Sequence, residues 1–530
     1  MASVFRLLVD ATTEDRSDAT PPWVRSTVEL FSSFDDVEVT LHSHGDDADF
    51  TVPAHAVTTR DPSLAQNDYP ELESLADEIV ELDGTGRFDA VLVLSYGLAL
   101  DLANTASMCG RLLVWAPCLP DWSSAEAVRR DVISVVSAAG CVLCDSEDLR
   151  SRIEYAIPES RTLTLYWPPE PPESDGRRLI RRLRPEPPEV LRGRKLRVVV
   201  AGYDLKFING ILRKLALLDE CELRVDEWAT LQTPRGKPNV ALKNWADVVI
   251  CEWCGANAVW YSRHKRRGQR LIVRLHRFEI TTALPYAVEL DAVDQLITVC
   301  PKYQQVVREE LAGLPTERVV MIPNYADAST FERGKLPGAH LHMGMISMIP
   351  KLKRLDLALD ILEEVRRRDD RFCLFVKSRF PSEVDWLWKL PDERRYFRSV
   401  LRRVQSSPSL EGAVTFDPFG WDVANWLRKI GTVLSTSDAE AFQVAPLEGM
   451  MSGSVGVVLP WDGADGLYPE VSLAPDVRHA AERILELADL DVWASRSRAA
   501  KKGVEHYDLD RVFPSWAGIL VEDRDPDAWP

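Results

Sequence analysis

The sequence predicts an α/β protein made of three units, each a parallel sheet flanked by helices. Three observations predict it. Short apolar, β-branched runs alternate with helix-length segments along the chain. Such runs suit strands buried on both faces of a parallel sheet. Two stretches, residues 89–169 and 247–324, carry the same features in the same order. A chain of 530 residues also exceeds one hydrophobic core, and at roughly 100–200 residues per domain it divides into about three.

The first unit is read over residues 1–170. It opens on "FRLLVD" and continues through "DAVLVLSYG", "GRLLVWAP", "CVLCDS" and "RTLTLYWPP". Residues 171–194 lie in a Pro-rich, Arg-rich stretch that suits a semi-rigid surface connector. The second unit, 195–327, repeats the first: "DVVICEWCG" matches "DAVLVLSYG", "QRLIVRLH" matches "GRLLVWAP", and "ERVVMIPN" matches "RTLTLYWPP". Where the second copy has His276, the first has Pro117; Gly202 and Gly210 follow its opening strand, where the first copy has no glycine. If one copy does chemistry it is therefore the second, and the first is a degenerate repeat. The third unit, 328–530, runs from "LHMGMISMI" through "FCLFVK", "AVTFDPF", "IGTVLSTS" and "SVGVVLP" to a helical tail that closes the structure.

Charge narrows the partners. A net charge of -18 repels polyanions, so nucleic acid is not an expected partner. No apolar run reaches the ~18 residues of a membrane span, and the opening residues turn acidic where a signal peptide would be apolar, so a cytoplasmic protein is expected. The basic run Arg263–Arg270 reads as the solvated end of a helix, with peripheral contact to an anionic membrane or lipid phosphate as the alternative. Neither Cys141/Cys144 nor Cys251/Cys254 has a close second pair or a His pair to complete a four-ligand zinc site, and both read as buried free thiols.

The segment "DAEAFQVAPLEGMMSG" sets Glu440 and Glu448 eight positions apart, after a strand and into a helix that Pro446 suits at its first position. A helix start at the C-terminal edge of a parallel sheet offers free N–H donors to anionic groups. A carboxylate beside it can accept hydrogen bonds from vicinal hydroxyls. For an isolated pair, a helix-dipole role for Glu448 and solvation for Glu440 would suffice.

The pair is not isolated. With Phe442, Met450, Gly453 and "VGVVLP", the segment resembles the signature of the retaining nucleotide-sugar glycosyltransferases of family 4, and the resemblance covers about residues 195–520. "MIPNYAD" resembles that family's inter-lobe hinge, carried by Pro323, Asn324 and Asp327. "ISMIPKLKR" resembles its phosphate-binding segment through Lys353, with Met348 in the usual arginine place and Arg354 or Lys351 as substitutes. "RLHRFE" resembles the acceptor-side segment through His276, and "AGYDLKFING" stands where the family has its glycine-containing first loop, with Gly202 and Gly210. Gln443 replaces a customary glycine.

The resemblance implies a GT-B fold of two Rossmann-like domains, preceded here by an additional N-terminal Rossmann-like domain. It implies transfer of a sugar, typically a hexose, from a nucleoside diphosphate sugar to an acceptor hydroxyl with retention, in synthesis of a polysaccharide, glycolipid or other glycoconjugate. Lys353, with Arg354, would neutralise the leaving diphosphate, and Glu448 would hold the ribose. Glu440 would meet the donor sugar, with Phe442 and Gln443 beside it, and His276 would orient sugar and acceptor. Gly202 and Gly210 would face the phosphates. Asp489/Asp491 and Asp508/Asp510 lie in the helical tail, so no metal or further cofactor is expected. The acceptor class is left open between glycan, lipid-linked and small molecule. The first unit has three roles open to it: extending the acceptor groove, homo-oligomerisation, or buttressing. The alternative is a catalytically degenerate binding or assembly protein, which the Met348 and Gln443 changes would suit. A nicotinamide-dependent oxidoreductase is disfavoured because no Gly-x-Gly-x-x-Gly follows a strand.

Overall fold

The computed structural model describes residues 187–522 except 219, 421 and 422, and before them mainly the segments 5–10, 22–34, 37–42, 57–59, 90–93, 96–103, 112–115, 141–144 and 163–167. The chain divides into two compact units, Met1–Glu186 and Pro187–Pro530.

In the first unit the strands are β1 (Phe5–Asp10), β2 (Val37–His42), β3 (Val57–Thr59), β4 (Ala90–Val93), β5 (Leu112–Trp115), β6 (Cys141–Cys144) and β7 (Leu163–Tyr166). They form one parallel sheet in the order β3-β2-β1-β4-β5-β6-β7. Trp167 anchors one face, stacked on Phe31 at 6.0 Å and donating to Thr27 Oγ1 at 3.0 Å. Pro117 lies outside the described residues. The stretch read as a surface connector needs correction: Leu179 is fully buried in this unit's core and Leu191 in that of the next unit. Their apolar side chains outweigh the surrounding prolines and arginines.

The second unit holds two parallel sheets. The first is built from β8 (Leu196–Gly202), β9 (Cys221–Glu227), β10 (Val248–Glu252), β11 (Arg270–Leu275), β12 (Gln295–Thr298) and β13 (Val319–Met321), in the order β13-β12-β11-β10-β8-β9. Its succession β9-β8-β10-β11-β12-β13 parallels β2-β1-β4-β5-β6-β7 of the preceding sheet. The other sheet comprises β14 (His342–Ile346), β15 (Cys373–Ser378), β16 (Val414–Pro418), β17 (Thr432–Ser435) and β18 (Val455–Val458), in the order β16-β15-β14-β17-β18. Two Rossmann-like sheets in one unit make the GT-B architecture, and the first unit adds a third Rossmann-like sheet.

Runs such as Val198–Val200 and Val248–Cys251 are wholly or nearly wholly buried, as expected where helices cover both faces. One covering helix comes from the chain's end. Leu509–Ile519 packs Val512, Phe513 and Trp516 against Ile211, Leu212 and the apolar strands of the β8 sheet. The chain thus passes between the two sheets twice. The two passages are bonded side by side: Ala326 donates to Tyr507 O at 3.1 Å, and Leu509 donates to Ala326 O at 3.0 Å.

Each sheet of this unit reverses its strand order once, between β8 and β10 and between β14 and β17. Crevices at such switch points, beyond the C-terminal strand ends, are the ligand positions of open α/β sheets.

Candidate functional site

The crevice over β14 and β17 gathers most of the charged residues singled out in the sequence. The loop after β17 holds the loop after β14 in place: Thr436 Oγ1 donates to Lys353 O at 2.8 Å and Arg354 O at 3.0 Å, and Asp438 N donates to Leu352 O at 2.9 Å. This brings Lys353 Nζ into an ion pair with Glu440 Oε1, both side chains mostly buried. Arg354, at a left-handed φ of 55°, is gripped by Asp356 at 2.8–3.2 Å and by Asp438 at 2.7 Å. Those carboxylates raise its pKa further, the hydrogen bond to Asp356 foremost. Met348 is buried in the core that packs against β14, an apolar anchor that brings no cation to the crevice.

The helix beneath this crevice is Val444–Met451, with Gln443 as its N-cap residue. It starts two residues earlier than the sequence suggested. Pro446 is tolerated there because N–H groups in the first turn have no partner inside the helix, and Glu448 consequently lies beyond that turn. Burial pushes the Glu448 carboxyl up to about 8. Gln443 is buried, its Oε1 accepting from Ser435 Oγ and its carbonyl from Tyr468 OH. Phe442 does not line the crevice with its ring; the ring is buried edge-on against Tyr507 at 5.1 Å. Ser437 Oγ, which the sequence did not single out, is buried in the same loop without a hydrogen-bond partner.

The crevice over β8 and β10 holds the rest. His276 follows β11, nearly buried, with Nε2 3.1 Å from Glu252 Oε1 and its ring 4.1 Å from that of Trp253. Glu252 ends β10 and also takes Arg274 Nη1 at 2.9 Å, while Arg274 Nη2 donates to Asn324 Oδ1 at the passage between the sheets. Glu252 and Arg274 are fully buried. Two further side chains staple the loops. Asn257 Nδ2 donates to Ala201 O at 2.7 Å and Glu252 O at 3.1 Å, and Glu279 accepts from the backbone N–H of Cys254, His276 and Arg277 at 3.1–3.3 Å.

The two glycines serve packing. A Cβ on Gly202 would meet Glu252 O at 3.1 Å, and one on Gly210 would meet Tyr325 Cε2 at 2.8 Å. Gly210 lies in the helix Asn209–Ala216, whose Ile211 N–H donates to Tyr325 OH at 3.2 Å. It is a contact point between helix and passage rather than a phosphate-facing loop.

Among the described residues no hydrogen bond or ion pair joins the His276 group to the Lys353 group. Glu252, Arg274, Asn257 and Glu279 escaped the sequence reading, although one signal for the first two existed: placed as neighbouring strands, β10 and β11 set Glu252 opposite Arg274.

Elsewhere, Asp489 caps the helix Leu490–Val504 and Asp508 accepts from Ala328 N at 3.0 Å. Cys141, Cys144, Cys251 and Cys254 are buried, and none of the four forms a disulfide. Several cations of the 263–270 run are used internally: Lys265 bonds Asp294 at 2.6 Å, Arg266 bonds Ala246 O at 2.7 Å and Arg270 bonds Ile519 O at 2.8 Å. No described helix is long and apolar enough to cross a membrane.

No family model and no curated protein matches the chain. Several solved structures are similar to part of the chain. They include a TarM mutant of S. aureus in complex with fondaparinux, alpha-GlcNAc-glycerol and UDP (15% identity, 54% of this chain, 59% of that one, TM-score 0.42). HepE of Anabaena in complex with UDP and glucose is another (15%, 61% and 99%, TM-score 0.45), as is a glycosyltransferase from Rickettsia africae ESF-5 (11%, 62% and 100%, TM-score 0.49). The match spans 59% of the length of TarM. These likenesses concern the fold alone.

Proposed function

We propose that the chain is a glycosyltransferase that moves a sugar from a nucleoside diphosphate sugar to an acceptor hydroxyl, with retention and without a metal ion. The observation that carries the reading is the Lys353–Glu440 pair at the β14/β17 switch point, beside the start of the helix Val444–Met451. A diphosphate entering there displaces Glu440 from Lys353 and takes the ammonium as its counter-charge, aided by the helix N–H groups. Glu440 is then released toward hydroxyls of the donor sugar. Glu448, held largely protonated at neutral pH by its raised pKa, can both donate to and accept from the ribose hydroxyls. His276, fixed by Glu252, faces the acceptor side. Fixed donors around a departing diphosphate stabilise charge that develops in the transition state.

A second reading is favoured by one observation. Arg354 is already neutralised by Asp356 and Asp438, and Met348 supplies no replacement charge, which suits a catalytically degenerate binding protein that retains nucleotide affinity without turnover.

Calorimetric titration with UDP, GDP and ADP in EDTA tests both. Binding of one nucleotide is expected, weakened about 10–100-fold in Lys353→Ala, since a hydrogen bond to a charged group contributes about 1.5–3 kcal/mol. Absence of binding by the folded chain overturns both readings. Binding without hydrolysis or transfer across a panel of sugar donors selects the second.

A further inference from the structure

We propose that the β8/β10 crevice is an aromatic platform that stacks a pyranose ring of a saccharide acceptor. The proposal names the acceptor class and rests on the glycosyltransferase reading above.

Three loops meet at this crevice, one after each of β8, β10 and β11, and each delivers aromatic rings. Tyr203 and Phe207 come from the first, Trp253 from the second, and His276 and Phe278 from the third. Trp253 is the hub. Its ring centroid lies 4.1 Å from His276, 5.5 Å from Phe278, 5.6 Å from Tyr203 and 5.9 Å from Phe207. Trp253 and His276 form a nearly buried floor, Tyr203 and Phe207 are half-buried at its edge, and Phe278 stands 38% exposed.

The backbone of Trp253 is strained, at φ 67°, a conformation that a bulky side chain adopts rarely and that persists where the surroundings enforce it. Here the enforcement is visible. The indole Nε1 donates to Asp204 O at 2.7 Å, and Glu279 clamps the following N–H, that of Cys254. The cost is met to aim one ring between loops of separate origin.

Charge distinguishes this crevice from the one over β14 and β17. Lys206 is paired with Asp204 at 2.9 Å, Glu252 is held by Arg274 and His276, and Glu279 is occupied by three backbone donors. These pairings leave the rings themselves, rather than a free carboxylate or ammonium, to meet a ligand at this point. Aromatic faces bordered by polar Asp204 and Lys206 suit a ligand apolar on its face and hydroxylated at its rim, which is the make-up of a pyranose. An acyl chain would instead need a continuous apolar groove, and the Asp204–Lys206 pair interrupts one. His276, set among these rings, brings the acceptor hydroxyl beside the side chain assigned to orient it.

The test applies the full chain to an array of neutral and acidic oligosaccharides and titrates the same preparation with UDP. The expected result is retention of a related set of oligosaccharides, reduced at least tenfold in Phe278→Ala and Phe207→Ala and largely restored in Phe278→Tyr. Circular dichroism confirms that each variant is folded, and the exposure of Phe278 makes its truncation tolerable. No retention by a chain that binds UDP, or equal retention by all variants, overturns the platform. Ring-dependent retention by a chain that binds no nucleotide upholds the platform and overturns the donor reading alone.

Discussion

Glu252 and His276 share a hydrogen bond of 3.1 Å from the ends of neighbouring strands, and the same Glu252 oxygen takes Arg274 at 2.9 Å. Because Glu252 and Arg274 are fully buried, removing one leaves the other without its counter-charge, at a cost of about 3–5 kcal/mol. Glu252→Ala is therefore expected to destabilise by about that much, and Glu252→Leu with Arg274→Met by less than the two single changes summed. Urea unfolding of Glu252→Ala, of Glu252→Leu and Arg274→Met singly, and of the double variant measures this; strict additivity would refute the coupling.

The Glu448 carboxyl gives stability a pH dependence. Its pKa rises from 4.5 to about 8 on folding through burial, so between those values the folded state holds a proton that the unfolded state has released. Stability then falls as pH rises through this window, by no more than about 1.4 kcal/mol per unit. Glu448→Gln should remove that component from unfolding midpoints measured between pH 5 and 8, and an unchanged slope would contradict the assignment.

Lys335 acts in the opposite sense. Its Nζ lies 2.7–2.9 Å from four uncharged oxygens, Leu427 O, Ile430 O, Ser452 Oγ and Ser454 Oγ, with no carboxylate among them, and burial lowers its pKa to about 7. Between pH 7 and 10.5 the unfolded lysine keeps a proton that the folded one gives up, so this group adds stability as pH rises there. Thermal melts of Lys335→Met across pH 7–10 should lack that rise.

Gly210→Ala places a methyl 2.8 Å from Tyr325 Cε2 and 3.1 Å from Leu509 Cδ2. Overpacking of this kind costs about 1–3 kcal/mol. A compensating Tyr325→Leu is expected to recover part of the loss in the double variant, and no recovery would place the strain elsewhere.

The strands were legible because a parallel sheet covered on both faces needs unbroken apolar runs, and "RVVVAG", "DVVICE" and "RLIVRL" are such runs. The β14/β17 crevice was legible in part: Lys353, Glu440 and Glu448 sit in local patterns, whereas the ring of Phe442 turned inward to meet Tyr507, a residue distant in sequence. The Glu252–Arg274–Asn324 chain was harder to see. Its members lie at or near the ends of separate apolar runs and look like ordinary strand-end residues until the strands are set side by side. The grip of Asp356 and Asp438 on Arg354 likewise depends on two loops meeting.

The bonded passages at Ala326 and Tyr507–Leu509 carry a mechanical consequence. Two connections tied along one line constrain the halves like the pin of a door: a rotation about that line would keep both backbone bonds, whereas shearing or twisting would break them. Arg274 reaches this line through Asn324, so the carboxylate that anchors His276 is tied through Arg274 to the segment joining the two sheets.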